Sequence, residues 1–416
     1  MSFISSHLSA LRHRDFRLLW TGTFFSTAGQ WVQSATLGWV VYDITQSGAL
    51  LGAVLSMRAI PMFMLAPLSG VVAERYSRKH ALALSQLLVV VVSFALATAL
   101  ALKRVEIWHL FAFTLLAGVG MVFDRTLRNT LVFGTVPRKD VANALALNSI
   151  AFSMMRTLGP AAAGFLIAWV GSAWNFALQG LLYLGVAAMA LTLNTPYEEP
   201  RRASPASAFT QMKEGLVFAA TDPVARNLML LGAVPAFLLI PSFSALMPVF
   251  SVHVFHVGPE GLGLLLSAVG AGGVLGGVVS VRTAKLERVG LTQVCAVSVF
   301  ALALIGFALS THVYLAMFFL MIAGMAEMVN MAANHTALQL SAPQALRGRV
   351  AGLLPMFPAL MAVGALSTGT CADWLGPKWA VVLLSLMGIA VALLAWFGSA
   401  AIKELRLSQL VQKPAH

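Results

Sequence analysis

Charge and sulfur are both scarce in this chain. Of its 416 residues two are cysteines and 10% are charged, with 15 acidic residues against 27 lysines and arginines. Cys295 and Cys371 fall inside apolar runs, where each reads as a small hydrophobe, so no disulfide framework can be inferred from them. No zinc, phosphate-loop or nucleophile-elbow spacing occurs, and no nucleophile, base and orienting group stand at recognisable spacing, so the chain is not read as an enzyme. The basic residues are scattered over short segments and form no patch with aromatics between them, which argues against nucleic acid as a partner. The first apolar run is of span length, begins after Arg17 and lacks a small-residue cleavage pattern. It reads as a first membrane helix and not as a cleaved leader. Ten-residue segments of alternating polarity are missing as well, which excludes a membrane barrel.

What is present is hydrophobicity: 59% of residues are apolar and mean hydropathy is +0.84, too little polar surface to cover a soluble globule. Apolar runs long enough for a helix to cross about 30 Å of hydrocarbon recur along the chain. They predict spans at 18–42, 48–72, 81–102, 107–127, 143–168 and 174–194, then at 226–250, 260–281, 288–310, 313–334, 349–372 and 378–401. The expected fold is therefore an all-α polytopic membrane protein with twelve transmembrane helices in two six-helix bundles.

The halves echo each other. Gly159-x4-Gly164-x4-Trp169-x-Gly171-x2-Trp174 returns as Gly364-x4-Gly369-x4-Trp374-x-Gly376-x2-Trp379, and Gly70-x4-Arg75-x2-Arg78 returns as Gly277-x4-Arg282-x2-Lys285. Offsets of 205 and 207 point to a tandem repeat of about 200 residues. The predicted organisation is an N-terminal segment 1–17, a bundle 18–194, a linker 195–225, a bundle 226–402 and a tail 403–416. The linker carries Pro196, Glu198, Glu199, Pro200, Arg201, Arg202 and Pro205, and its later part has apolar residues at helical spacing. Of the lysines and arginines, only Lys103, Arg104 and Lys378 fall at the side opposite the termini, and only Arg58 and Arg156 fall near the middle of spans. The positive-inside rule then places both termini and the linker in the cytoplasm.

Gly70-Val-Val-Ala-Glu74-Arg75-Tyr-Ser77-Arg78-Lys79 resembles the G-x3-D-R-x-G-R-K loop of the major facilitator superfamily, with Glu74 for the usual Asp and Ser77 for a glycine. In the second copy Val281 takes the acidic position. Gly70 is expected to allow close helix approach, and Glu74 to pair with Arg75, Arg78 or a basic helix end in one conformation and release it in another, while Lys79 extends the cluster. The competing reading is a loop that only sets topology.

Arg156-Thr-Leu-Gly159-Pro160-Ala-Ala-Ala163-Gly164 is similar to the G-P-x-x-G-G motif of the superfamily's antiporters, with Ala163 in place of one glycine. Gly159, Pro160 and Gly164 mark either a bent helix sealing a cavity or an ordinary kinked packing helix. Arg14-Asp15-Phe16-Arg17, Arg58-Ala-Ile-Pro61, Phe123-Asp124 with Arg128, Asn143-x4-Asn148-Ser149 and Arg347-Gly-Arg349-Val350 together resemble the bacterial branch with enterobactin-type siderophore exporters and macrolide-efflux-like proteins. The resemblance implies an inner-membrane transporter, with a small-molecule substrate, the bilayer as its surroundings, no cofactor beyond a proton gradient, and a monomeric state.

Ionisable groups within spans are costly and are functional candidates by default. Arg58 and Arg156 are candidates for binding an anionic substrate or gating, with a structural pair between Arg58 and Asp124 as the alternative. Glu327 is the preferred proton carrier, its alternative being a carboxyl hydrogen-bonded to Asn330 and Asn334; Asp124 is the second coupling candidate. Gln30, Gln33 and Asn148 are candidates for lining a cavity, and inter-helix hydrogen bonding is the plainer role. Thr114 stands four residues before Gly118, where many superfamily antiporters carry arginine, which counts against a drug-proton antiporter. Export of an amphiphilic or anionic small molecule by proton antiport is the first functional expectation. Its rivals are uptake or flipping of an amphiphile such as a lysolipid, and a transport-inactive sensor or scaffold.

Overall fold

A computed structural model describes residues 8–195, 208–284, 286–344, 346–354 and 356–408. The prolines and charges of the linker between 196 and 207, Lys285 of the second loop motif and the tail from 409 lie outside the described residues. Among the described residues all named elements are helical. They are α1 (Arg14–Thr45), α2 (Gly48–Ser56), α3 (Ala59–Arg75), α4 (Arg78–Ala101), α5 (Ile107–Thr135), α6 (Val141–Val170) and α7 (Ser172–Leu191). After the linker helix α8 (Ala208–Thr221) come α9 (Pro223–Val254), α10 (Pro259–Thr283), α11 (Val289–Leu309), α12 (Val313–Ser341), α13 (Met356–Leu375) and α14 (Pro377–Gly398). Among the described residues, 10 helical segments are long and apolar enough to cross a membrane, one of them joining α2 and α3. With α1 and α13 they account for the twelve expected spans.

The second span is broken where the sequence predicts one helix. The break at Met57 and Arg58 lies four residues before Pro61, whose ring clashes with the carbonyl of Met57 and whose nitrogen cannot donate to it. In α9, wide π-turns at Pro235–Leu239 and Phe250–Val254 interrupt the α-helical hydrogen bonding of a segment that also carries Pro241 and Pro248. The duplication is visible in three dimensions: α5 and α12 both have 29 residues. The tight turns after α6 and α13 both hinge on a glycine with positive φ, +87° at Gly171 and +80° at Gly376. An L side chain rarely adopts that conformation, which explains the repeated glycine. The flanking Trp169, Trp174, Trp374 and Trp379 are all exposed, as suits aromatic anchors at a membrane interface.

The chain divides into two compact units, Met1–Val40 with Ile60–Pro205, and Val41–Ala59 with Ala206–His416. In the first, α4 packs along α5 and α7 around Phe16, Leu19, Leu82, Leu127, Leu131 and Leu193. In the second, α12 lies against α10 and α11, and α2 against α13. Lipid is as apolar as leucine, so helices in a bilayer associate through close packing and polar contacts. The α10–α12 seam does this with Gly272, Gly276 and Gly324, where any added Cβ would collide with a carbonyl of the facing helix.

Candidate functional site

In the first unit the polar centre is Asp124 on α5. It is buried and accepts from Arg128 Nη2 at 2.7 Å, Gln86 Nε2 at 2.9 Å and Ser26 Oγ at 3.1 Å. Arg128 is one helical turn away on the same helix, Gln86 is on α4 and Ser26 on α1, so one carboxylate ties three helices together. Gln86 Oε1 and Arg128 Nε are buried without a hydrogen-bond partner. Two charges removed from water need each other and further hydrogen bonds to offset desolvation, and here three donors supply them. Loading a proton on Asp124 would therefore cost an ion pair.

Toward the other end of the same unit, Gln33 on α1 accepts from Gln179 Nε2 on α7 at 2.7 Å. Asn175 Nδ2 donates to Thr36 Oγ1 at 2.9 Å and to the Ala163 carbonyl at 3.0 Å. Gln33 thus has the inter-helix role, while Gln30 is half-buried. Asn148 is half-buried too, and its Oδ1 has no partner. Gly159, Pro160 and Gly164 are buried within an unbroken α6. A Cβ at Gly159 would lie 2.7 Å from Trp31 Cβ, so this glycine is what lets α6 close onto α1. Pro160 withdraws the helical donor from the carbonyl of Arg156, as Pro61 does from Met57 beside Arg58. Arg58 and Arg156 therefore each stand beside a backbone donor removed by proline; both side chains are half-buried.

The second unit holds Glu327, the midpoint of α12 and the one Asp, Glu, Lys or Arg in that helix. It is half-buried. Asn330 and Asn334 follow at three and seven residues, which puts them on the same helical face. Both are buried; Asn334 Nδ2 donates to the Leu228 carbonyl of α9 at 2.7 Å, and Oδ1 of each asparagine lacks a partner.

The loop after α3 behaves differently from expectation at one residue. A Cβ at Gly70 would meet nothing within 4 Å, so close helix approach is not what this glycine provides here. Glu74 and Arg75 are exposed. Arg78 Nε donates to the Ala73 carbonyl in the last turn of α3 at 3.0 Å, and Lys79 Nζ to the Leu193 carbonyl just past the end of α7 at 3.1 Å. In the second unit Arg347 Nε donates across the same five-residue interval to the Ala342 carbonyl at 3.4 Å. Its neighbour Arg349 pairs with Glu214 of α8, and Gly215 lies against the Arg349 carbonyl.

Sequence reasoning did not assign roles to Gln86, Ser26 or Gln179, single polar residues whose partners are remote in the chain. The four-residue interval from Asp124 to Arg128 was the one readable signal.

A family model described as a transmembrane secretion effector matches residues 5–412. The staphyloferrin A transporter of Staphylococcus aureus is 22% identical over 382 residues, covering 90% of this chain and 93% of its own length. The enterobactin exporter of Citrobacter koseri is 23% identical over 354 residues, covering 83% of this chain and 82% of its own. Among solved structures, an inward-facing bacterial homologue of the human lysosomal transporter Spinster superposes with a TM-score of 0.75 at 16% identity, over 94% of this chain and 98% of that one. The nucleoside transporter NupG superposes with a TM-score of 0.72 at 17% identity, over 92% of this chain and 98% of that one.

Proposed function

The chain belongs to the transmembrane secretion effector family of the major facilitator superfamily, and from that premise we propose that it exports an amphiphilic or anionic small molecule of siderophore type in exchange for protons. It is a multi-pass membrane transporter and not an enzyme. Siderophore transport by two relatives that match over most of their length supports the substrate class. The reading places both termini on the cytoplasmic side of the inner membrane, with a monomer as the working unit and alternating access as the mechanism.

The observation that carries proton coupling is Glu327 at the centre of an apolar 29-residue helix. A carboxylate at mid-membrane depth exchanges protons as its access to water alternates, and Asn330 and Asn334 provide acceptors along the same face. Asp124 is the weaker coupling candidate, because Arg128, Gln86 and Ser26 already occupy its oxygens. Arg58 and Arg156, half-buried cations within apolar segments, are suited to an anionic substrate.

The test is transport into proteoliposomes of enterobactin, staphyloferrin A, a macrolide and a lysolipid under an imposed proton gradient, in wild type and Glu327→Gln. Gradient-driven movement of a siderophore that the substitution abolishes, with the protein still monodisperse, is the expected outcome. Equal transport by the variant would remove Glu327 from the mechanism; movement of lysolipid alone would replace the substrate class.

A further inference from the structure

The first donors of α2 are completed from another helix. Asp373, near the end of α13, accepts from Gly48 N at 2.7 Å, Ala49 N at 2.9 Å and Ser47 Oγ at 2.8 Å. Ser47 Oγ in turn accepts from Leu50 N at 3.2 Å. A helix N-terminus leaves four N–H groups without partners and carries partial positive charge, so a carboxylate placed there satisfies donors and dipole at once. Below this cap the two backbones touch. A Cβ at Gly52 would collide with the Ala365 carbonyl, and one at Gly369 with the Gly48 carbonyl.

Chain connectivity makes this contact unusual. Residues 41–59 pack as part of the second unit, yet at Val40 and Ile60 they continue covalently into the first. The exit toward Ile60 is the break at Met57 and Arg58, which makes α2 a separate nine-residue helix. The repeat register sharpens the point: the Trp374 offset of 205 aligns Asp373 with Ala168, so the carboxylate belongs to one copy alone.

We propose that Asp373 is a releasable clamp on the N-terminus of α2, which holds the 41–59 segment to the second unit in one conformation and lets it go in another. The glycine seam gives the closed state its fit, and the carboxylate gives it a directional lock that breaks cleanly once α2 withdraws. Asp373 is exposed, so water can satisfy both partners as soon as they part. It is a positioning residue: it acts on the chain and touches no substrate.

The experiment uses the full chain in liposomes with Cys295 and Cys371 replaced by serine. Spin labels on the exposed Ile44→Cys and Leu375→Cys report the distance across the clamp by electron–electron double resonance. Asp373→Ala is expected to raise the ratio of the longer to the shorter distance about fivefold to tenfold, the effect of losing a helix cap with charged hydrogen bonds. Asp373→Asn, which keeps an acceptor, should fall between. A distribution unchanged in folded Asp373→Ala protein overturns the proposal and makes 41–59 a fixed part of the second unit. A second arm covers misfolding of that variant: a disulfide between Ser47→Cys and Asp373→Cys, closed before the two reporter thiols are labelled with a thioether-forming nitroxide, should abolish the longer distance, and opening the bridge, which leaves the thioether labels in place, should restore it. Persistence of the longer distance in the bridged protein also overturns the clamp. Neither arm requires a substrate or proton gradient, so the clamp and coupling through Glu327 fail independently.

Discussion

Breaking the buried Asp124–Arg128 pair tests whether the polar centre of the first unit is a tie or a working site. Arg128→Ala leaves a buried carboxylate without its counter-charge, at a cost of about 3–5 kcal/mol. Asp124→Ala leaves a buried guanidinium and also strands Gln86 Nε2 and Ser26 Oγ, each worth about 1 kcal/mol, so it should exceed Arg128→Ala by about 1–2 kcal/mol. The double replacement Asp124→Leu with Arg128→Met removes both charges and fills the space. It should cost less than either single change, about 1–3 kcal/mol, because only the Gln86 and Ser26 donors stay unpaired. The assay is the temperature at which the detergent-solubilised protein leaves its monodisperse gel-filtration peak, read as a ranking since helical membrane proteins aggregate once unfolded. The expected order of stability is wild type, double variant, Arg128→Ala, Asp124→Ala. Singles as stable as wild type, or a double variant worse than both, would refute the view that these charges exist to satisfy each other.

Two further outcomes are expected. Gly52→Val places a side chain into the Ala365 carbonyl and should lower the same midpoint by the equivalent of about 1–3 kcal/mol, whereas Gly70→Ala, with open space around it, should leave it unchanged. Arg349→Ala and Glu214→Ala remove a half-exposed pair and should each cost less than about 1 kcal/mol; a larger loss in a double-mutant cycle would mean that α8 is held chiefly by that contact.

The membrane architecture was legible because hydrocarbon imposes a length and a polarity that no other solvent does. The span count follows from runs of apolar residues, and the repeated turns from the glycines and tryptophans that end them. Proline chemistry at Pro61 was also readable in principle, since a proline inside an apolar run predicts a break four residues earlier, yet the run 48–72 reads as one span on hydropathy alone. The site was less legible. Asp124 and Glu327 stood out as charges in apolar segments, but the donors around Asp124 come from α1 and α4, and only folding brings them within 3.1 Å. Gly70 shows the reverse limit. A motif residue can be recognised while the packing it is assumed to serve is missing from the conformation at hand. Asp373 went unremarked because a single aspartate at a helix end gives no local sign that its partners lie 324 to 326 residues away.

The prolines at Pro61 and Pro160 have a consequence for how this transporter changes over generations. Each removes a backbone N–H from its helix, and no exchange of a neighbouring side chain can put that donor back. Substitutions at Met57, Arg58 or Arg156 would alter what their side chains present and leave the local helix geometry set by the proline in place. Only replacement of a proline would restore a regular turn, so the bend and the chemistry beside it can vary independently.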